Sequence, residues 1–241
     1  GNVDSCTTQI TVHDNTNPTA LCQTATVHLG LGSVSVTPAT VLVPPTGDNC
    51  TTLTSTFAGQ GNSVTYTCDS IGNHTVMVVV TDISGNTANC VTTITVLDTL
   101  SPTASCNTTP YTVQLDMTGN GFVTPQDVDN GSSDFCGVTN MLVNGLDSVF
   151  YSCANIGNTA VTLLVFDSSG NHNSCIADIL VNDPINPIAL CHDTTLYLGS
   201  TGITTITPSL IDAGSSDNCT FTSTVNGLPS VNFNCNQVGT N

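Results

Sequence analysis

The sequence predicts an all-β protein of tandem immunoglobulin-like β-sandwich domains, about 85 residues each and stapled by disulfides. Three observations carry that prediction. First, TDISGNTANC at 81–90 returns as FDSSGNHNSC at 166–175, and the chain opens on GNVDSC; the copies align through Gly1, Gly85 and Gly170, a period of 84 or 85 residues. Such a period marks whole domains and not solenoid turns. Second, lysine, arginine and glutamate are absent and all 17 acidic residues are aspartate. Without those helix formers, the abundant Thr, Val, Asn and Gly favour strands joined by polar turns. Third, the 12 cysteines include no CxxC pair and no zinc-finger histidine spacing. That is the pattern of a disulfide framework made in an oxidising compartment, so the chain is expected to be secreted, extracellular or at the cell surface.

The net charge of -17 argues against nucleic acid as a partner, because affinity for phosphate backbones rests on Lys and Arg displacing counterions. Membrane insertion is not expected either. The longest apolar runs, such as VMVVV at 76–80, are far too short to span a bilayer. With 39% hydrophobic and only 5% aromatic residues, a domain of this size buries a modest core, the regime in which covalent staples matter.

The linker phrases VHDNTNPTALC (12–22), LDTLSPTASC (97–106) and VNDPINPIALC (181–191) each place an Asp four residues before a Pro and a Cys four after it. X-Pro favours extended chain at a boundary. The expected domains are therefore 16–99, 100–184 and 185–241, with 1–15 as the last strand of a preceding repeat and the third domain stopping before its last two strands. The chain reads as an internal piece of a longer exported polypeptide. Within a repeat, TVMVVVTD and CVTTITVLD alternate or run apolar on either side of the repeated turn, as a hairpin does. About seven short strands per repeat fit an immunoglobulin-like sandwich.

The second and third cysteines of each repeat sit symmetrically about a turn. Cys136 and Cys153 centre on Asn144-Gly145, Cys50 and Cys68 on GQG at 59–61, and Cys219 and Cys235 on Gly227. Asn-Gly is the strongest two-residue hairpin signal, so each pair is expected to bond across a hairpin. For the rest, first and last strands of such a sandwich start at the same pole, which favours Cys22–Cys90 and Cys106–Cys175. The rival Cys90–Cys106 would require the chain after Cys90, extended over roughly 25 Å as a strand, to fold back. Cys6 and Cys191 are left without a partner of this type.

TDISGNTANCVTTITVLDTLSPTASC resembles the end-and-restart signature of the hyalin repeat. DVDNGSSDFCGV with its Cys-bounded hairpin resembles the four-cysteine form found in giant surface proteins of Bacteroidota. Repeat one departs from it, with VLVPPTGDNC in place of VDNGSSDFC. The resemblance implies an immunoglobulin-like fold in very long adhesins or appendages, exported by the type IX route and used for attachment, gliding or prey capture. The implied partners are neighbouring repeats of the same long chain, other copies in a fibre, and surface polysaccharide or a host or prey surface. A structural stalk is the leading function; the alternative is a calcium-dependent carbohydrate- or surface-binding module.

Topology is expected to bring three aspartates of each boundary together: Asp14, Asp48 and Asp82; Asp98, Asp134 and Asp167; and Asp183 with Asp217 in the third repeat. Carboxylates crowded without a cationic side chain repel one another unless a cation binds, and Ca²⁺ prefers such oxygen ligands in flexible loops. No cofactor is required by the fold, and calcium is the expected ligand at the boundaries. DVDNGSSD at 127–134 is similar to a calcium loop, with its Gly one position early. The histidines His13, His28, His74, His172 and His192 share no spacing, and no Ser/His/Asp or Cys/His arrangement is legible, so no enzyme activity is expected. Asp-Ser/Thr sequences nominate Ser70, Thr99, Ser148 and Thr194 for O-glycosylation, and NCT at 49 and 218 is a formal N-glycan acceptor.

Overall fold

The computed structural model describes residues 1–50 and 52–239. Repeat one contributes six strands among them: β1 (Ala25–Leu29), β2 (Ser33–Val36), β3 (Leu53–Phe57), β4 (Val64–Thr67), β5 (Gly72–Asp82) and β6 (Thr87–Asp98). One sheet has the order β1-β6-β5-β3, and β2 and β4 make a second. Alternation along the two long strands decides what is inside. Val76, Val78 and Val80 of β5 and Ile94 and Val96 of β6 are buried, while Met77 and Val91 face out. Leu29, Val36, Val41, Phe57 and Tyr66 complete this cluster. The same alternation carries Asp82 and Asp98, at the strand ends, to the inner face, where they are only 5% and 6% exposed.

Repeat two follows with β7 (Tyr111–Gln114), β8 (Asn120–Val123), the single helical turn α1 (Pro125–Val128), β9 (Val138–Val143), β10 (Val149–Ser152), β11 (Gly157–Asp167) and β12 (His172–Asn182). Its sheets have the orders β7-β12-β11-β9 and β10-β8. Val161, Leu163 and Val165 face inward along β11, and Asp167 ends that row at 4% exposure. In repeat three β13 (Ile203–Ile206) pairs antiparallel with β14 (Val231–Asn234), as β2 does with β4 and β8 with β10.

The first strand of each full repeat runs parallel to the last, Ala25 opposite Ile94 and Ile179 opposite Tyr111. Parallel pairing puts both strand starts at one end. There Cys22 bonds Cys90 and Cys106 bonds Cys175, each with Cα atoms 5.8 Å apart.

The structure corrects two expectations. Six strands, not seven, form in each full repeat among the described residues. Between the second and third strand a proline at the first helical position opens a helical turn instead, at Pro38–Thr40 and at α1. Residues 1–15 form no strand and are almost all exposed. In the full repeats the last strand is held between two others, and no described strand pairs with 1–15.

The second correction concerns the hairpin bonds. The turn itself forms: Asn144 and Gly145 have φ of 51° and 79°, Asn226 and Gly227 of 52° and 79°. Leu146 N donates to Val143 O at 2.9 Å and Val143 N to Leu146 O at 2.8 Å. The strands then part into different sheets, β9 alongside β11 and β10 onto β8. In repeat one β3 joins β5 and β4 joins β2. The cysteines beyond these strands are therefore carried apart, and the bonds Cys50–Cys68, Cys136–Cys153 and Cys219–Cys235 do not form. Instead Cys68 bonds Cys136 and Cys153 bonds Cys219, with Cα separations of 5.2 and 5.4 Å.

Contacts divide the chain into two compact units: Gly1–Thr103 with Ser133–Asn140 and Phe166–Asn173, and Ala104–Ser132 with Met141–Val165 and Ser174–Asn241. The first unit takes in two loops of repeat two, one bearing Asp134 and Cys136, the other Asp167 and Asn171.

Candidate cation site and inter-repeat staple

Within the first unit the inner-face position of Asp98, at the end of β6, brings it to the Asp134 loop. Ligand atoms of Asp98, Asp134 and Cys136 lie within 4.8 Å of one another, as do those of Asp14, Asp48 and Cys50. The sulfur of Cys136 is taken by its bond to Cys68, which leaves two carboxylates. Asp98 Oδ1 accepts from Leu100 N at 3.1 Å. Its Oδ2 is buried and has no partner among the described residues. Asp134 Oδ2 accepts from Cys136 N at 2.7 Å.

The arrangement recurs. Asp14 Oδ1 accepts from Thr16 N at 3.0 Å and from Asn49 Nδ2 at 3.2 Å, and Asp48 Oδ2 from Cys50 N at 2.9 Å, while Asp14 Oδ2 and Asp48 Oδ1 are buried without a partner. In the second unit Asn218 Nδ2 donates to Asp183 Oδ1 at 3.0 Å, and Asp217 Oδ1 and Asn218 Oδ1 are the partnerless atoms. A buried acceptor with nothing to accept costs roughly 1–3 kcal/mol, more when charged. Oxygens left bare at all three equivalent places suit one hard cation each.

Asp82 and Asp167 stand outside these clusters, a correction to the expected trios. Both oxygens of each serve its own turn. Asp82 Oδ1 accepts from Asn86 N and Oδ2 from Asn86 Nδ2, both at 2.8 Å. Asp167 accepts from Ser169 N at 2.8 Å, Asn171 N at 2.9 Å and Asn171 Nδ2 at 2.8 Å. The same asparagine amides reach the linker: Asn86 Nδ2 donates to Asp14 O at 3.1 Å and Asn171 Nδ2 to Asp98 O at 3.2 Å. The recurring Asp-x-x-Gly-Asn turn, with Gly85 and Gly170 at positive φ, thus clamps the backbone of the aspartate that carries the bare oxygen. Sequence reasoning missed both asparagines, although the repeated GN of the turn was a visible signal.

The staple is built on two local motifs. Each third cysteine opens a helical turn directly after a strand, at Cys68–Ser70, Cys153–Asn155 and Cys235–Gln237. Each second cysteine sits in Asp-x-Cys, at 48–50, 134–136 and 217–219. The Sγ of Cys68 lies 3.5 Å from Phe135 O, and that of Cys153 lies 3.4 Å from Asn218 O. The four cysteines Cys6, Cys50, Cys191 and Cys235 are free.

Thr16 N–H, with the nearby Cys50 and Asn49 side chains, holds the Asp14 carboxyl below its ordinary value, and the proximity of that carboxylate pushes the Cys50 thiol up. In DVDNGSSD, Asp127 accepts from Thr124 N and Oγ1 at 2.8 and 2.7 Å, and Asp129 from Gly131 N and Ser132 N at 3.1 and 3.0 Å. Those carboxylates cap and turn their own backbone, and only Asp134 of the stretch reaches the cluster. Thr99 and Thr194 are exposed and Ser70 and Ser148 half-buried. The acceptor at Asn49 runs through Thr51, outside the described residues. His74 Nε2 lies 2.7 Å from Ser70 O, and its ring packs 4.9 Å from Tyr66.

No protein-family model matches the chain. Among solved structures it is similar to Sidekick-1 immunoglobulin domains 1–5, at 10% identity and TM-score 0.38 over 73% of this chain and 41% of that one. It is also similar to human mucin-like protocadherin EC1-2, at 13% identity and TM-score 0.36 over 69% and 97%. In an alignment of 160 residues that covers 60% of this chain, the chain is 32% identical to Hyalin of Strongylocentrotus purpuratus, and it spans 13% of that protein.

Proposed function

We propose that the chain is a structural segment of a long secreted adhesive polypeptide, a stalk in which successive sandwiches are locked to one another. The observation that carries this reading is the pair of bonds Cys68–Cys136 and Cys153–Cys219. Each ties the third cysteine of one repeat to the second of the next, and a domain that worked alone would have no use for it. Under load, a bond of this kind stops the chain between neighbouring repeats from paying out. The likeness to Hyalin and the absence of Lys and Arg, which leaves trypsin nothing to cut, support an extracellular role. Attachment, gliding or prey capture, export by the type IX route, and contact with polysaccharide or a host or prey surface are the finer forms of this proposal.

Calcium is the proposed ligand of Asp98 with Asp134, of Asp14 with Asp48, and of Asp183 with Asp217. It would neutralise carboxylates that no cationic side chain can reach and fasten the Asp-x-Cys loop to the linker. A second reading, a carbohydrate-binding module, is favoured by one observation. Phe122 and Phe150 are 56% and 75% exposed on β8 and β10, ring centroids 6.0 Å apart, beside Tyr111, Gln114 and Asn120.

Force spectroscopy on the oxidised and reduced chain tests the first reading. Oxidised protein should release far less length, and equal extension in both states would sink it. Calcium-dependent hits on a glycan array would favour the second reading.

A further inference from the structure

We infer that the groove between β7 and β8 of repeat two binds a neutral polysaccharide of equatorially hydroxylated hexopyranoses, a β-glucan in its chemistry, on a platform made by Phe122 and Phe150. The inference rests on the carbohydrate reading above, of which it names the sugar class and the one repeat that binds. It needs neither the cation nor the staple.

Comparison between repeats isolates the groove. Phe150 stands opposite Phe122 across β8 and β10; the same register places Thr65 opposite Ser35 in repeat one and Asn232 opposite Thr205 in repeat three. Strand alternation turns all three pairs outward, so small polar side chains in two repeats become two exposed phenyl rings in the third. Their planes are tilted by 48° at a centroid distance of 6.0 Å, close enough to act as one apolar surface that a single sugar ring can cover.

A second departure lies beside the first. Gly121 stands opposite Tyr151, at the position of Val34 in repeat one and Thr204 in repeat three. A Cβ on Gly121 would meet Val113 Cγ1 at 2.6 Å and Gln114 O at 3.1 Å, so glycine allows β8 to close on β7. The groove so formed, about 580 Å³, is lined by residues of both strands together with Phe150, Asp116 and Asp127.

The lining selects the ligand. The Thr118 hydroxyl lowers the Asp116 carboxyl, and on Asp127 burial pushes upward while the Thr124 bonds outweigh it. Both are therefore ionised at neutral pH, with no Lys or Arg in the chain to offset them, and they repel uronic acids and sulfated sugars. Oδ1 of Asp116 and Oδ2 of Asp127 are already taken by Thr118 and Thr124, which makes these groups a fence against anions more than a seat for a cation. Gln114 Oε1 accepts from Asn182 Nδ2 at 3.0 Å, and Asn120 Nδ2 donates to Thr118 O at 3.2 Å and Thr118 Oγ1 at 3.0 Å. That leaves the Gln114 amide as a donor and Asn120 Oδ1 as an acceptor, and a hydroxyl can serve both. A pyranose with equatorial hydroxyls carries C–H bonds on its flat faces and polar groups round its rim. Its face suits the two rings while its rim meets the amides.

The test is calorimetric titration of the full 241-residue oxidised chain, in calcium-containing buffer, with cellohexaose and with the same hexamer oxidised to a carboxylate at every C6. Cellohexaose should bind once per chain, and the acidic hexamer at least about tenfold more weakly. Phe122→Ser with Phe150→Thr installs the pair that repeat one already folds with. It should keep the four disulfides and the melting transition of the parent and lose at least about tenfold in affinity for cellohexaose. Equal affinity for the acidic hexamer, or cellohexaose binding that the double variant leaves unchanged, would overturn the inference and leave the carbohydrate reading standing. Tighter binding of tetralysine than of cellohexaose would assign the groove to a basic protein partner and overturn it too. Binding of neither sugar would also overturn it, and hits or none for the parent on a glycan array would then decide the carbohydrate reading separately.

Discussion

The side-chain amide of Asn171 donates to the backbone carbonyl of Asp98 at 3.2 Å, while the same amide and the Asn171 N–H bind the Asp167 carboxylate at 2.8 and 2.9 Å. One residue of a loop in repeat two thus holds the end of the last strand of repeat one, and Asn86 makes the same connection to Asp14. The turn between the last two strands of each full repeat is thus also a clamp.

Asn171→Ala removes both side-chain donations, the one to Asp98 O and the one to the carboxylate of the buried Asp167. The cost should be about 1–3 kcal/mol, read as a lower urea midpoint of the oxidised protein with unchanged m-value. Asn86→Ala should behave alike. No change in midpoint for either variant would show that the amides only decorate the turn.

Non-reducing peptide mapping should recover Cys22–Cys90, Cys68–Cys136, Cys106–Cys175 and Cys153–Cys219. Each closes a loop of 66 to 69 residues, for which chain entropy gives about 4 kcal/mol. Cys136→Ser should lower stability by that order and expose Cys68 to alkylation. A peptide containing Cys136–Cys153 would contradict the strand assignment of β9 and β10.

Gly119→Ala tests the seat of the third cysteine. At φ +76° its methyl would meet Cys153 Sγ at 2.6 Å and Asn218 O at 2.9 Å. The variant should fold with Cys106–Cys175 intact but show free thiol at Cys153 and Cys219 under mild reduction. Resistance of that bond equal to the parent's would refute the close packing.

Calcium should raise the melting temperature of the oxidised chain, with about 4 kcal/mol gained at a thousandfold excess over its dissociation constant. Asp98→Asn should remove the part due to its cluster. Asp167→Asn, by contrast, should lower stability with and without calcium alike, because its oxygens serve Asn171 and Ser169. Indifference of the parent to both calcium and chelator would leave the bare oxygens of Asp98 and Asp14 without this explanation.

Acid should weaken the fold through Asp14, Asp116, Asp127 and Asp212. Backbone N–H of Thr16 on Asp14, the Thr118 hydroxyl on Asp116 and the Ser215 side chain on Asp212 lower three of these; on Asp127 burial pushes upward and the Thr124 bonds outweigh it. A depressed folded value means the contribution is present above the ordinary 3.8 and lost as pH falls below it through the folded values. Burial raises Tyr66 and Tyr151 above the ordinary 10.0. The folded state therefore favours their neutral form, and that contribution falls as pH rises past 10. The Cys50 thiol, held above its ordinary 9.0 by the Asp14 carboxylate, adds a fall that begins past 9. Unfolding midpoints against pH should be flat between 3.8 and 9.0, and a steep change near neutrality would contradict the assignment.

Much of this was legible in the residues alone. The period through Gly1, Gly85 and Gly170 set the repeats, and the composition set the all-β class. Val76, Val78, Val80 and then Asp82 follow one two-residue alternation, so burial of that aspartate could have been read directly. The parallel approach of first and last strand was enough to place Cys22 against Cys90. Asn144-Gly145 marked a turn, and the turn forms. What local sequence could not determine is where the strands leaving that turn go. A two-residue turn sets the direction of the next few residues, but sheet membership is decided by which face each strand can bury and which edge is open to pair. Tertiary packing sent β9 to β11 and β10 to β8, carried Cys136 away from Cys153, and delivered it to Cys68. The same packing consumed Asp82 and Asp167 in their own turns and left Asp98 and Asp14 with oxygens that nothing local could reach.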